Sequence, residues 1–593
     1  MPERLSAREV LALLADAGSF RELPSPAGRS RPDGPLGWQG YDASRARAAA
    51  RTGEQESVVC GTASVDGTRA VLIAFEFGFL GGSLGERTGD RLEAAYTHAR
   101  AHRLPVVPLI ATGGSRMQEG MLALTQLQRV ARQSALTREA GLPQIAVLRD
   151  PTTGGGWATL GAGADIVLAL PGAQVGFAGS RVRPPDADPA AYTAEAQVAA
   201  GSADAVVEPA ELKGVLGRWL RLLAGAGAGA GADADAGAPG TGTPAPGHAT
   251  ASPGTGAGAT PGAGAGAAGA GAGAMPGAEA GASPDTQTEA TPGTQTAATP
   301  NTQPQATPGT QTGATPDTQT QATPGTQTGA AADARSASVE SGPGSHVTPG
   351  TDVAGRASTV VPAPVGVRCT EPAPVPHALG PGGLPGSGWE AVEAARAAGR
   401  PRAHAYLDAY FTERLPISGD RCGGADPGGM LCGFGERDGR TVAYAAQTGT
   451  ATRPAGYRTA ARLIRLADRL GIPVLTLVDT PGAANDAEAE RQGAGAAIAE
   501  VFGAVAAARV PVTTLVIGEG GSGGALALAA PGNTWATPDS YFSVIAPELA
   551  AAILKRRPEE VRPTADQLRI RPQDLVELGV VRGVVDRVDD SRP

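Results

Sequence analysis

Lysine is nearly absent from this 593-residue chain, occurring only as Lys213 and Lys555. Neither follows a glycine turn, and no G-x-x-x-x-G-K-[ST] is present, which excludes a P-loop nucleotide site. Cysteine is scarce as well. Cys60, Cys369, Cys422 and Cys432 form no C-x-x-C pair, so neither a disulfide framework nor a structural zinc site is expected. Of six histidines, only His98 and His102 stand at helical spacing. They have no acidic third ligand in register, so they read as a solvated helix face. Positive charge does not dominate either: the net charge is −9, which excludes the basic field that nucleic acid or an anionic membrane surface requires. No apolar stretch approaches the roughly 20 residues that span a bilayer. The N-terminal "MPERLSAREVLALLADAGSF" is interrupted by charge and is not a signal peptide. A soluble cytoplasmic protein is expected.

What the chain has in abundance is glycine, at 86 residues, and proline, at 50. They are unevenly spread. From about 225 to 375 the sequence is Ala, Gly, Pro, Thr and Gln, with prolines at 276, 284, 292, 300, 308, 316 and 324 on an eight-residue period. Such a repeat has no apolar face to bury and cannot offset its ordering entropy, so a disordered linker is predicted. It separates an N-terminal domain over 1–224 from a C-terminal domain over 376–593.

The two flanking domains carry one motif pair in duplicate. "LPVVPLIATGGSRMQEG" and "LPQIAVLRDPTTGGGWATLG" lie in the first. "IPVLTLVDTPGAAND" and "VPVTTLVIGEGGSGGALALAA" lie in the second. Each is a proline, a β-branched run, and a glycine turn opening a small-residue helix. Pro105 precedes Pro143 by 38 positions, and Pro473 precedes Pro511 by 38. Gly114 and Gly482 each stand nine after their proline, and Gly156 and Gly524 each thirteen after theirs.

Around these motifs the pattern alternates strands with helices, which predicts α/β layers with a mainly parallel sheet. Residues 5–17 read as an amphipathic helix with Leu5, Val10, Leu13 and Leu14 on one side. Residues 25–52 read as a loose surface segment. Hairpins are expected at 58–79 around "DGT" and near 430–447 around "RDG". "PAGYRTAARLIRLADRLG" is an amphipathic helix with Ala461, Ile464, Leu466 or Ala467, and Leu470 on one face. Helices near 548–556 and 572–578 and a strand in "VVRGVVDRV" close the chain.

Glycine turns at strand ends let a ligand approach the backbone, and their N–H groups favour negative charge. With a P-loop excluded and no G-x-G-x-x-G with a following acid, phosphate and dinucleotide readings are weak. An oxyanion hole built from two turns fits the pattern, and tight strand–helix packing is the alternative. No G-x-S-x-G elbow exists. Ser115 and Ser522 sit in the turns with no histidine nearby in sequence. Glu119, Asp479 and Glu519 are acids at strand ends; for Asp479 and Glu519 helix capping is expected over polarising a site.

These residues resemble a known family. "GGSLGERTGDRLEAA", "ATGGSRMQEGMLALTQL", "GLPQIAVLRDPTTGGG" and "VGFAGSRV" resemble the β subunit of bacterial acetyl-CoA carboxylase carboxyltransferase. "PAGYRTAARLIRLADRLGIPVLTLVDTPGA", "VIGEGGSGGALALA" and "YFSVIAPELAAAILKRR" resemble its α subunit. The order is similar to an actinobacterial β/α fusion. The resemblance implies an α/β fold of two crotonase-type (ClpP/crotonase) β-β-α superhelix domains. It implies transfer of a carboxyl group from N-carboxybiotin, borne by a separate protein, to acyl-CoA. The ureido anion left by CO2 release would then take the α-proton, which is why no acid–base dyad is needed.

By the same resemblance Gly113, Gly114, Gly155 and Gly156 would hold the acyl-CoA thioester oxygen, and Gly482, Gly523 and Gly524 the biotin ureido oxygen. Expected partners are a biotin carboxyl carrier protein, a biotin carboxylase, and acetyl-CoA or another acyl-CoA, because neither lysine stands in an M-K-M context and no ATP loop is evident. A homodimer or higher homo-oligomer is implied, since the family's site lies between halves of different chains. The family's N-terminal zinc ribbon is absent and no metal is predicted. The chain departs from the family pattern at "RPPDADPAAYTAEAQ" (183–197) and "PGAANDAEAERQGAG" (481–495). A biotin-dependent acyl-CoA decarboxylase and a degenerate non-catalytic scaffold stay open as alternatives.

Overall fold

The computed structural model describes residues 4–28, 31–228 and 371–587. The linker predicted over 225–375 therefore lies, from 229 to 370, outside the described residues. In the first half, a sheet runs in the order Arg21–Glu22, Val58–Val65, Thr68–Phe75, Val106–Thr112, Ile145–Thr153, Ile166–Ala169 and Ala205–Val206. In the second, the order from the other edge is Glu413–Ile417, Met430–Arg437, Arg440–Gln447, Val474–Thr480, Val512–Gly521 and Thr534–Ala536. Both hairpins are antiparallel and turn on Asp-Gly pairs with positive φ, Asp66–Gly67 and Asp438–Gly439, the backbone a tight hairpin demands. The strands that follow pair in parallel.

The duplication seen in sequence is structural, at a constant shift of 368 residues. Helix Glu86–Ala101 corresponds to Pro454–Leu470. Strand Ile145–Thr153 pairs first with Ile166–Ala169 and then, past its bend, with Val175–Gly176. Val512–Gly521 does the same with Thr534–Ala536 and then Tyr541–Ser543. This hand-over from one neighbour to another winds each half into a β-β-α superhelix.

The described residues of both halves belong to one compact unit, and one buried cluster contains side chains of both. Helix Gly120–Glu139 packs on helix Ala494–Ala507. Gln128 Nε2 donates to Ala529 O and Arg132 Nη1 to Ala506 O, each at 2.8 Å. Size is matched across this seam. Trp157 is fully buried, and a Cβ on Gly495 would run into its indole. Close packing of this kind leaves no room for an added methylene.

Four local expectations are corrected. The first helix spans Ala7–Leu14 and buries Ala7, Val10, Leu11 and Leu14. Leu5 and Leu13 are exposed, because the apolar stripe follows 3.6 residues per turn through Leu11. The segment 25–52 is not all loose: Tyr41–Thr52 is a helix whose Tyr41 is buried. In helix Pro454–Leu470 the buried side is Ala460, Ala461, Leu463, Ile464 and Ala467, while Leu470 is exposed. Over its described residues, 580–587, the closing "VVRGVVDRV" forms no strand and makes only isolated bridges, Val584 with Ala536 and Arg587 with Ala378.

Gly495→Leu overpacks the seam against Trp157. The expected loss is about 1–3 kcal/mol, read by thermal unfolding, with part of it restored by Trp157→Ala in the same chain.

Candidate active site

Both predicted turns form where a parallel ladder breaks. Pairing of Val106–Thr112 with Ile145–Thr153 shifts register between Ile110 and Thr112, and pairing of Val474–Thr480 with Val512–Gly521 shifts between Val478 and Thr480. Each shift peels a turn away from its sheet at equivalent positions. The turn then docks on a preceding segment in the same way in both halves. Leu84 N–H donates to Gly114 O at 2.9 Å and Arg116 N–H to Leu84 O at 2.8 Å; Thr452 N–H donates to Gly482 O at 3.2 Å and Ala484 N–H to Thr452 O at 2.9 Å.

The first pair of turns converges. Gly114 has φ +103° and Gly154 φ +66°, conformations that disfavour a side chain. A Cβ on Gly154 would lie 3.2 Å from Gly114 Cα, and one on Gly114 would lie 4.0 Å from Gly155 N. The second pair converges as well: a Cβ on Gly524 would lie 2.5 Å from Ala483 N and 2.6 Å from the Tyr457 hydroxyl. Tyr457 Oη and Gln447 Nε2 donate to Gly524 O at 3.0 and 3.2 Å, fixing that peptide plane.

The donors divide into two kinds. Gly113 N–H donates to Gly81 O at 2.9 Å. Gly114 N–H donates to Thr112 Oγ1 at 3.0 Å, and its counterpart Gly482 N–H donates to Thr480 Oγ1 at 3.1 Å. Gly155 and Gly156, and likewise Gly523 and Gly524, occupy the first helical turn after their strands, where backbone N–H groups have no acceptor four residues earlier.

The two sets meet across the seam. Leu127 blocks the Cβ position of Gly155, and its Cδ1 lies 3.8 Å from that of Gly523, while the Phe177 ring lies 3.5 Å from the latter. One chain therefore gathers both helix starts around one leucine. Two surface depressions, one beside His98 and His102 and one along helices Gly120–Glu139 and Ala494–Ala507, include none of the seven glycines.

The first turn is anchored by a buried charge network. Arg116 Nη2 reaches Glu56 Oε1 at 2.5 Å and Nη1 reaches Glu119 Oε1 at 3.3 Å; all three side chains are at most 5 % exposed. Tyr41 Oη donates to Glu119 Oε1 at 2.5 Å, and Glu119 Oε2 accepts the Glu86 N–H at 2.6 Å. Burial alone would raise the Glu56 carboxyl, but the Arg116 guanidinium outweighs it and holds the acid below its usual range. Glu119 thus caps the helix Glu86–Ala101. Asp479 and Glu519 do not cap helices. Asp479 pairs with Arg400 at 2.6 Å and accepts the Glu519 N–H at 3.2 Å. Burial pushes its carboxyl upward despite that pair. Glu519 pairs with Arg396 and accepts from Tyr541 Oη, both at 2.8 Å. His98 and His102 stack on one another at 3.9 Å, and no metal-holding cluster of three His, Cys, Asp or Glu occurs among the described residues.

Comparison with known proteins identifies the family. The "Carboxyl transferase domain" model matches residues 4–205, and the "Acetyl co-enzyme A carboxylase carboxyltransferase-like" model matches 387–589. The chain is 34 % identical to the acetyl-coenzyme A carboxylase carboxyl transferase subunits beta/alpha of Salinispora arenicola, covering 98 % of this chain and 82 % of the relative. The chain belongs to the acetyl-CoA carboxylase carboxyltransferase family. The beta/alpha protein of Saccharopolyspora erythraea is similar at 31 % over 98 % of this chain and 81 % of that one. The alpha subunit of Brucella anthropi is 39 % identical over 33 % of this chain and 66 % of its own length. Within this carboxyltransferase family member, sequence reasoning missed Arg116, Leu127, Phe177 and the Thr112/Thr480 pair. Only Thr112 and Thr480 left a signal, each standing two residues before a turn glycine.

Arg116→Met strands Glu56 and Glu119 in a dry interior. A loss of about 3–5 kcal/mol is expected, measured by urea unfolding.

Proposed function

We propose that this chain moves a carboxyl group from N-carboxybiotin, carried by a separate protein, to the α-carbon of an acyl-CoA such as acetyl-CoA, forming malonyl-CoA in that case. The observation that carries this reading is the pair of converging glycine turns in each half, with helix-start N–H groups and no acid–base dyad among the residues that form the turns. Such a site suits a reaction whose charge develops on two oxygens. Gly155 and Gly156, with Gly113 and Gly114 shaping the facing turn, hold the thioester oxygen as it becomes an enolate. Gly523 and Gly524, with Gly482 opposite, hold the ureido oxygen. A ligand oxygen at Gly114 or Gly482 shares its N–H with the Thr112 or Thr480 hydroxyl. Bound biotin supplies the carboxyl group and the base. The chain supplies orientation, donors and a site screened from water by Leu127 and Phe177.

A biotinylated carrier and a biotin carboxylase are the partners this reading needs. Lys213 is committed to Asp16 at 2.9 Å, and Lys555 sits at φ +58° beside two arginines, so neither reads as a biotin attachment site. The resemblance supports a homodimer or larger homo-oligomer, although one chain already brings the two turn pairs together. Light scattering is expected to give at least two copies, and a fully active monomer would contradict it.

Gly114→Val and Gly524→Val are expected to lower transfer of labelled carboxyl from malonyl-CoA to free biotin by at least about 10²-fold, with thermal unfolding as the folding control. Gly523→Ala is a gentler probe, since its Cβ meets only Phe177 at 3.5 Å. Wild-type transfer by folded Gly524→Val would remove the second hole from the mechanism.

A further inference from the structure

The two segments that depart from the family pattern touch each other. Tyr192 Oη donates to Asn485 O at 2.7 Å, and Asn485 Nδ2 donates to Val182 O at 2.9 Å. Arg491 pairs with Asp188 at the rim. Ala178, Ala191 and Tyr192 pack with Val182, Ala187 and Ala487, and Phe177 packs with Ala484, Ala489 and Ala494. Beneath this layer lies one carboxylate that the proposed chemistry leaves unused. Glu490 comes from the second half, is fully buried, and accepts the first half's Ala178 N–H on Oε1 at 3.0 Å. Its Oε2 has no hydrogen-bond partner. Gly176 leaves it room, for a Cβ there would lie 3.2 Å from Oε1. The next residue is Phe177, whose ring covers Gly523.

A half-satisfied buried carboxylate is poor glue, and an apolar side chain would hold the halves together as well or better. What a carboxylate does that an apolar group cannot is fix a peptide by its N–H. We propose that Glu490 is a positioning residue: it clamps the Phe177–Ala178 peptide of the first half, and so sets the Phe177 ring against the Gly523 turn where the ureido group is placed. The inference rests on the proposed second hole.

The groups facing Glu490 are Arg183 and Tyr192 from the first half and Asp486 on its own segment. Arg183 donates Nε to Ala178 O at 2.9 Å and stacks on Tyr192 at 3.9 Å, so it braces the next peptide, Ala178–Gly179. Burial, only partly offset by N–H bonds and Arg183, raises the Glu490 carboxyl from 4.5 to about 7. The sign follows. A carboxyl raised in the closed clamp binds its proton more tightly there than when exposed. Its contribution to closure is full below about 4.5 and is lost as pH rises through about 7.

The test uses the full chain as wild type, Glu490→Gln and Glu490→Ala, with amide hydrogen exchange at Phe177 and Ala178 read from pH 5 to 8.5 beside labelled-carboxyl transfer to biotin. In wild type the opening equilibrium, corrected for intrinsic exchange, rises between pH 5 and 7.5. Glu490→Gln, which still accepts through its carbonyl, transfers at nearly the wild-type rate with a flat exchange profile. Glu490→Ala exposes both amides by about tenfold or more and lowers kcat/KM for biotin by about tenfold, with KM for acyl-CoA unchanged. Unchanged exchange in folded Glu490→Ala overturns the clamp. Raised exchange with unchanged transfer overturns the positioning role. Failure of the second hole itself shows separately, as undiminished transfer by Gly524→Val.

Discussion

Both halves of this chain depend on one constraint: a parallel ladder must shift register near its end so that a turn can lift from the sheet. The register shifts at Ile110/Thr112 and Val478/Thr480 do this at equivalent positions. Continued pairing would consume the turn's N–H groups. Peeling them away would leave the turn unsupported, and the docking bonds at Leu84 and Thr452 replace what the ladder loses. The buried Arg116 network then fixes the first turn, and the Tyr457 and Gln447 donors fix the Gly524 peptide that faces the second. The same backbone is held by different side chains in the two halves.

The second dependence is the seam. The apposition of the two turn pairs comes from packing across it. Trp157 over Gly495 and Leu127 between Gly155 and Gly523 are complementary in size, and Glu490 adds a polar pin at the edge. Residues 183–197 and 481–495 sit at that edge and contact one another through Tyr192 and Asn485.

Much of the fold was legible because it lies in period and punctuation. The Asp-Gly hairpins, the proline–strand–glycine units and their matched spacing needed no tertiary information. The turns were found for the same reason. Elements decided by distant partners were not legible. Tyr41–Thr52 looks like loose Arg- and Ala-rich sequence, yet its Tyr41 completes the Arg116 network across the fold. "VVRGVVDRV" has strand composition but finds no ladder to join, only bridges. Asp479 and Glu519 look like helix caps by position and are claimed instead by arginines from Gly388–Arg396 and just beyond it. The internal partners of the Gly113, Gly114 and Gly482 N–H groups were invisible too, because spacing shows where a donor lies and not what it already holds.

The central claim is that the two glycine-turn pairs receive two different oxygens. A crystal structure of the chain with acetyl-CoA and biotin tests it most directly. The account predicts the thioester oxygen within hydrogen-bond distance of the Gly155 or Gly156 N–H and the ureido oxygen within the same distance of the Gly523 or Gly524 N–H. Both ligands at one pair, or either bound away from all four of these N–H groups, would contradict it.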